Sequence, residues 1–300
     1  MTITAWAVTT GETGMRTQAR GLAQAIADTV VEKTVGMDAF APPWPDIVVS
    51  CGRRAAGRAL AVRRASQGQS LAVHVQDPRL RAATFDLVIA MAHDAIPAGG
   101  KVIKVATALH DVTPRRLADA GDAWRGRLAG LGRPLAGVIV GGDLRGRAFT
   151  LADARRLINA LERMRSGSDA ALAIVPSRRT PQPVLAALVE AFGGDHRALV
   201  WDRTGENPYL GVLALADRLI VTSDSVSMIS EALATPHPVE VLDLGFPRHQ
   251  GFIQGLADRG FIRRFEGDST PPPARAAIDA TGEAAAAVRR LLQGRTGVSG

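Results

Sequence analysis

Short apolar runs alternate with amphipathic stretches along the whole chain. The run 3–8 is followed by a small polar loop, Thr9-Thr10-Gly11-Glu12-Thr13-Gly14, and then by 15–29, where Ala19, Leu22, Ala23 and Ile26 recur at the spacing of one helical face. The runs 47–50, 71–75, 87–91 and 101–105 are each bounded by Pro, Gly or Asp and predict buried parallel strands, with a helix over 53–64 between the first two. A second cycle begins after Gly132-Arg133-Pro134. It predicts strands at 136–140, 171–175, 198–201, 218–222 and 239–242, and helices after Thr150 and over 183–192, 210–216 and 225–234. In the first of these helices Leu151, Ala154, Leu157, Ile158, Leu161 and Met164 line one side, Thr150 is the N-cap, and Asp153 makes an imperfect capping box. Pro271-Pro272-Pro273 is a stiff linker before a last helix over about 276–292.

Two successive sets of alternating strands and helices predict an α/β protein of two Rossmann-like domains facing a cleft. A length of 300 residues suits two such domains. The expected division is an N-terminal domain over 1–130, a C-terminal domain over 131–270, and a linker with terminal helix over 271–300 that is free to pack back on the first domain.

Composition narrows the class. Hydrophobic residues make up 46% and charged residues 22%, as in ordinary globular proteins. No apolar run approaches the roughly 18–20 residues of a bilayer span, and no signal-peptide pattern opens the chain. Cys51 is the only cysteine, which excludes an intrachain disulfide and a multi-cysteine metal site and points to a reducing cytoplasm. The formal charge is +7 and nearly all of it is arginine, since Lys33, Lys101 and Lys104 are the only lysines. Arginine is the better fork for phosphate and carboxylate. Nucleic acid, an anionic membrane face and a phosphorylated small ligand compete for such a charge, and a codon-biased genome would also supply it. Nucleic acid is the weakest of these, because the arginines are scattered and no strand interleaves them with aromatics.

The strongest chemical signal is the strand 218–222 running through Ser223-Asp224-Ser225-Val226-Ser227 into a helix. Free amides at a helix start, backed by the macrodipole, hold anions, and the hydroxyls of Ser223, Ser225 and Ser227 would add donors. Glu231, two turns further on, would accept from ribose or sugar hydroxyls. The alternative is a helix that is merely well capped, and Asp224 fits a diphosphate only if it points elsewhere. Gly11 and Gly14 around Thr13, and the pair Gly141-Gly142, each follow a predicted strand, where glycine permits close ligand approach but more often marks a turn. Ser177-Arg178-Arg179-Thr180 follows the strand 171–175. Its arginines are equally a diphosphate clamp or a solvated basic loop. Asn207 and Tyr209 line a base or acceptor pocket, or simply pack. Acid–base candidates in the first half are Glu12, His74, Asp77, His93-Asp94 and His110-Asp111, with His93-Asp94 first because the pair follows the strand 87–91. No two histidines have metal-site spacing, and no metal is expected.

The strings GETGMRTQARGLAQAI, PDIVVSCGRRAAG, VHVQDPR, FDLVIAMAHD, VIVGG, SRRTP and ENPYLGVLALADRLIVTSDSVSMISEALAT, with PHPVEV after them, closely resemble the mitochondrial-fission "elongated mitochondria" family over about 3–255. That family has a plant member named for its role in fission and many bacterial members. It is similar in turn to GT-B glycosyltransferases, including the enzyme that adds N-acetylglucosamine to the lipid-linked peptidoglycan precursor. The resemblance implies a donor nucleotide in the second domain. Gly141 and Gly142 would face its phosphates, Arg178 and Arg179 would touch nucleotide or phosphate, Ser225, Val226 and Ser227 would offer amides, and Glu231 would meet a ribose. Gly11 and Gly14 would face the acceptor or the transferred sugar. One departure stands out: the family's Gly-Lys-Pro-Val turn reads Thr235-Pro236-His237-Pro238-Val239 here.

The expected activity is transfer of a sugar from a nucleotide-diphosphate donor to a lipid-linked or lipopolysaccharide-type acceptor of the cell envelope, without cofactor or metal. The expected place is the cytoplasm, with a peripheral position on the inner membrane. A noncatalytic protein recruiting a dynamin-like partner and a sugar-nucleotide epimerase are the alternatives. Fold alone separates none of them.

Overall fold

The computed structural model describes residues 2–296. The chain divides into two units, one formed by Met1–Asp111 with Asp279–Gly300 and the other by Val112–Ile278.

The first unit contains β1 (Thr4–Thr9), α1 (Thr13–Ile26), β2 (Thr29–Thr34), β3 (Ile47–Cys51), α2 (Arg53–Ala65), β4 (Leu71–Val75), β5 (Leu87–Met91) and β6 (Val102–Val105). Its six strands are all parallel in the order β2-β1-β3-β4-β5-β6, so the winding reverses between β1 and β3. β3, β4 and most of β5 are buried residue after residue, as a sheet covered on both faces requires. One face packs on α1 through Leu22, Ala23 and Ile26. The other packs on α2, whose Ala55, Ala56, Ala59 and Val62 are the buried stripe.

The second unit contains α3 (Pro114–Ala129), β7 (Leu135–Val140), α4 (Leu151–Ser166), β8 (Ala171–Pro176), α5 (Gln182–Phe192), β9 (Ala198–Val200), α6 (Tyr209–Leu215), β10 (Arg218–Thr222), α7 (Val226–Leu233), β11 (Val239–Leu242), α8 (Gln250–Asp258) and β12 (Arg263–Arg264). Its parallel sheet runs β12-β11-β10-β7-β8-β9 and reverses between β7 and β10. The capping box of α4 is complete: Thr150 Oγ1 accepts from the Asp153 amide and Asp153 Oδ2 accepts from the Thr150 amide at 2.8 Å. Asp153 also holds Arg147, and that arginine with the Thr150 donors outweighs burial and draws its carboxyl down to about 2.

Both sets of predicted strands are present, but the division falls at 111/112 rather than near 130. The reason is α3, a helix that the apolar pattern does not reveal because only Gly121, Trp124 and Leu128 are buried along it. α3 lies on α6, so close that a Cβ at Gly211 would stand 2.5 Å from Trp124. It therefore belongs with the second sheet. The edge strand β2 lies just past the end predicted for the first helix, and α8 and β12 are further additions. The terminal helix α9 (Ala280–Thr296) packs on α1, with Ala284, Ala285 and Val288 in the same core as Leu22 and Ala23. Thr281 Oγ1 ties its first turn to the backbone of His110.

Candidate functional site

Open α/β sheets bind ligands outside the carboxyl ends of their strands, where the winding reverses. In the second unit this point lies between β7 and β10, with β8 next to β7. The topology therefore brings three predicted segments together: Gly141-Gly142, Ser177–Thr180 and Ser223–Ser227.

Asp224 is the centre of the cluster. It is fully buried. Its carboxylate accepts from the Gly142 amide at 2.6 Å and from Thr222 Oγ1 at 2.6 Å, with Arg179 Nη2 at 3.4 Å. Thr222 Oγ1 accepts in turn from the Gly141 amide at 2.8 Å. Burial pushes the Asp224 carboxyl above its ordinary value despite these donors. The carboxylate thus points inward, away from any anion at the α7 start.

Two of the expected contacts change with this geometry. The Gly141 and Gly142 amides are engaged by Thr222 and Asp224, so they do not face open space. These glycines are required by protein neighbours instead: a Cβ at Gly141 would lie 1.7 Å from Asp224 Oδ2, and one at Gly142 would lie 2.0 Å from the Arg179 carbonyl oxygen. Ser223 is likewise fully buried, and its hydroxyl accepts from the Leu244 amide at 2.9 Å, linking the ends of β10 and β11.

What remains open is the start of α7. Ser225 is its N-cap, with Oγ accepting from the Met228 amide at 3.3 Å. The amides of Val226 and Ser227, at the first two helical positions, have no carbonyl one turn earlier to bond. Both residues are half-exposed.

Arg178 and Arg179 are exposed on the loop after β8. Arg179 is anchored, donating to the Asp143 carbonyl at 2.8 Å and facing Asp224. Its own backbone amide donates to Ser177 Oγ at 3.2 Å. Thr180 fixes the loop's other end by donating to the carbonyl of Gly141, and its own carbonyl accepts from Arg203. Further along, Tyr209 donates its hydroxyl to Glu231, so these two predicted residues meet, and Asn207 Oδ1 accepts from the Tyr209 amide at 2.9 Å to start α6.

Sequence reasoning gave no role to Thr222 or Thr180, and did not reach Arg203 or His249. Thr222 and Thr180 carry a faint signal, a hydroxyl at a strand end beside glycines. Arg203 and His249 carry none, because only the fold brings their loops to the site. His249 Nδ1 lies 3.0 Å from the Ser223 carbonyl, which only accepts, so the proton sits on Nδ1 and Nε2 carries the lone pair. Burial holds this imidazole below its ordinary pKa.

The first unit gathers its candidates less tightly. Glu12 follows β1 and accepts from Thr10 Oγ1 at 2.5 Å, while Gly11 takes φ +101°. Thr13 and Gly14 open α1. His93 and Asp94 follow β5, with 3.9 Å between His93 Nε2 and Asp94 Oδ1. Asp94 closes its own turn by accepting from the Met91 amide at 2.8 Å, and Lys104 donates to the carbonyls of Met91 and Asp94. β3 and β4 stand between β1 and β5, three strand spacings or about 14 Å in all. Glu12 and His93 therefore do not act on one proton. His74 is buried and bonded to Ser50 Oγ at 2.8 Å, Asp111 pairs with Arg20, and Asp77 pairs with Arg79 at 3.4 Å. Of the predicted histidines, His93 alone is exposed, His74 and His110 being buried. Among the described residues no three His, Cys, Asp or Glu side chains gather as metal ligands, and no helix is long and apolar enough to cross a membrane.

Solved structures share this fold. UDP-GlcNAc 2-epimerase from Methanocaldococcus jannaschii superposes with a TM-score of 0.57 at 12% identity, over 98% of this chain and 99% of that one. The glycosyltransferase SnogD from Streptomyces nogalater superposes with a TM-score of 0.55 at 13% identity, over 97% and 95%. The fold is thus one shared by sugar-nucleotide enzymes and GT-B glycosyltransferases. In sequence, the mitochondrial fission protein ELM1 of Arabidopsis thaliana is 29% identical over 277 residues, which is 84% of this chain but only 65% of the plant protein's length. The model of the mitochondrial fission ELM1 family matches residues 13–292, and the chain belongs to that family.

Proposed function

We propose that the protein is a GT-B-type glycosyltransferase that takes a sugar from a nucleotide-diphosphate donor and delivers it to a lipid-linked or lipopolysaccharide-type acceptor. The observation that carries this reading is the α7 start: amides of Val226 and Ser227 without intrahelical partners, at the winding reversal of a parallel sheet, beside the arginine loop of β8. Two such amides with the dipole behind them, and Arg178 on the loop that Arg179 ties to Asp224, stabilise the charge that grows on a departing diphosphate. Arg179 positions this loop through Asp224 and Asp143, and Glu231, held by Tyr209, accepts from the ribose. In the first unit, Gly11, Thr13 and Gly14 face the acceptor, with Glu12 beside them, and His93, oriented by Asp94, is the candidate general base. The diphosphate is neutralised by protein donors, without metal. The names of the fold's neighbours support a uridine nucleotide first.

Isothermal titration of the whole chain with UDP, GDP, ADP, CMP and dTDP and their sugar conjugates tests the donor half. The expectation is selective binding of one nucleotide, weakened at least tenfold by Arg178→Ala. Silence from every nucleotide at millimolar concentration would instead favour a noncatalytic, partner-recruiting protein, the reading that the plant relative's fission name supports. Conversion of a bound UDP-sugar to its epimer without acceptor would favour the epimerase.

A further inference from the structure

The face of the first unit around α2 carries chemistry that the donor site does not use. α2 contains Arg53, Arg54, Arg58, Arg63 and Arg64 and no acidic residue. Arg63 is neutralised by Asp86 at 2.8 Å. Arg53, Arg54, Arg58 and Arg64 are exposed, and no carboxylate pairs with them among the described residues. Arg54 and Arg58 stand one turn apart, where like charges repel and weaken an isolated helix.

Beside this helix runs the β2–β3 connection, whose residues 36–44 read Gly-Met-Asp-Ala-Phe-Ala-Pro-Pro-Trp. Asp38 is the one charge, and its carboxylate accepts from the Thr34 amide at 2.5 Å. Met37 is 84% exposed, the most exposed large apolar side chain described, and Ala39, Ala41, Pro42 and Pro43 are exposed too. Phe40 and Trp44 are half-exposed and pack edge-on against Trp6. The segment is joined to the basic patch twice. The Arg58 guanidinium lies 5.0 Å from the Phe40 ring centroid, and Lys33 Nζ lies 4.6 Å from that of Trp6 while donating to the Ala39 carbonyl at 2.7 Å. A shallow depression lined by Val35, Arg54, Gly57, Arg58 and Ala61 runs between segment and helix.

We infer that this face docks the protein on an anionic phospholipid surface, with Arg53, Arg54, Arg58 and Arg64 over the head-group phosphates and the Met37–Trp44 segment in the interface. Unneutralised arginines next to exposed aliphatic and aromatic groups are complementary to both layers of such a surface at once. The second unit sets arginine beside exposed apolar surface only as a single residue, Leu151 one turn from Arg155, and not as a segment. Position adds to the argument, because the segment leaves β2 and α2 leaves β3 at the same carboxyl edge that carries Gly11 and Gly14. A lipid-borne acceptor on this membrane would reach that loop without leaving the bilayer. The inference deepens the acceptor half of the proposed function and is independent of the donor half.

The test is co-sedimentation of the full chain with vesicles of phosphatidylglycerol and phosphatidylcholine, against vesicles of phosphatidylcholine alone. The expected result is binding to the first at 50 mM salt, loss at 500 mM, and none to the second. Arg54→Gln with Arg58→Gln weakens partitioning about 30-fold, at roughly fivefold per arginine near an anionic surface. Met37→Gln weakens it further, while Arg115→Gln with Arg125→Gln, an equal charge change on α3, leaves it within about twofold. Melting curves and nucleotide titrations of each variant separate this from misfolding and from failure of the donor site. Equal loss in the two double variants, undiminished binding by the first, or wild-type protein that ignores anionic vesicles but binds RNA would each overturn the docking face.

Discussion

Replacing Gly141 by alanine probes the centre of the candidate site with one methyl group. The added Cβ would stand 1.7 Å from Asp224 Oδ2 and 2.3 Å from its Cγ. Ordinary contact needs about 3.4 Å or more, and Asp224 is fully buried with no free end to swing away. The carboxylate must move by well over an ångström, which breaks its bonds from the Gly142 amide and Thr222 Oγ1, both 2.6 Å long. Two buried hydrogen bonds to a charged group, at about 1.5–3 kcal/mol each with partial recovery, plus overpacking strain of about 1–3 kcal/mol, give a loss of about 4 kcal/mol. With a urea slope of about 2 kcal/mol per molar, the midpoint falls by about 2 M. The assay is urea unfolding by tryptophan fluorescence in a Trp6→Phe, Trp44→Phe background, which leaves Trp124 and Trp201 reporting on the second unit. Gly126→Ala in α3 is the matched control, because its Cβ would meet nothing within 4 Å, and it should gain up to about 1 kcal/mol. A Gly141→Ala protein within about 0.5 kcal/mol of its parent would refute the packing argument.

Two further perturbations bear on stability. Burial lowers His74 to about 4, against an ordinary value of 6.5 in the unfolded chain. Its folded pKa is the lower one, so its contribution is complete above pH 6.5 and disappears as pH falls through 4. Stability measured by urea titration should drop by about 2–3 kcal/mol between pH 7 and pH 4.5 from this group alone, and His74→Gln should flatten that limb; an unchanged acid limb would contradict it. In the second sheet, buried Glu240 on β11 accepts from Arg218, itself buried, and from Arg263 at 2.7 Å. Glu240→Ala leaves a buried guanidinium uncompensated and should cost about 3–5 kcal/mol, whereas a loss under about 1 kcal/mol would show the cluster to be solvated.

Much of the fold is legible in the sequence because parallel strands buried on both faces are short, mostly apolar runs, and β3, β4, β7, β8 and β10 all announce themselves so. β2 does not, since Val30, Val31, Glu32 and Lys33 lie on a sheet edge and are partly or fully exposed. α3 does not either, although its start carries a readable sign: Thr113 caps the Arg116 amide ahead of Pro114. Its buried side chains are too few for a periodic signal. The site divides in the same way. The strand-to-helix turn at Ser223–Ser227 is local chemistry and can be read from the chain. That Asp224 turns inward to occupy the Gly142 amide depends on β7 and β10 being neighbours, and no local pattern states that. Arg203 and His249 arrive from loops remote in sequence.

The central claim is that the α7 amides hold the donor diphosphate, and Val226→Pro tests it most directly. Val226 is the first helical residue, where proline is tolerated, and Ser225 before it is already extended at φ −131° and ψ 98°, as a residue preceding proline must be. The variant removes one amide donor and leaves the helix. Isothermal titration should show affinity for the selected nucleotide diphosphate reduced about 10- to 100-fold, the worth of one charge-assisted hydrogen bond, with the melting temperature unchanged. Full affinity in a folded Val226→Pro protein would place the diphosphate elsewhere and contradict the account.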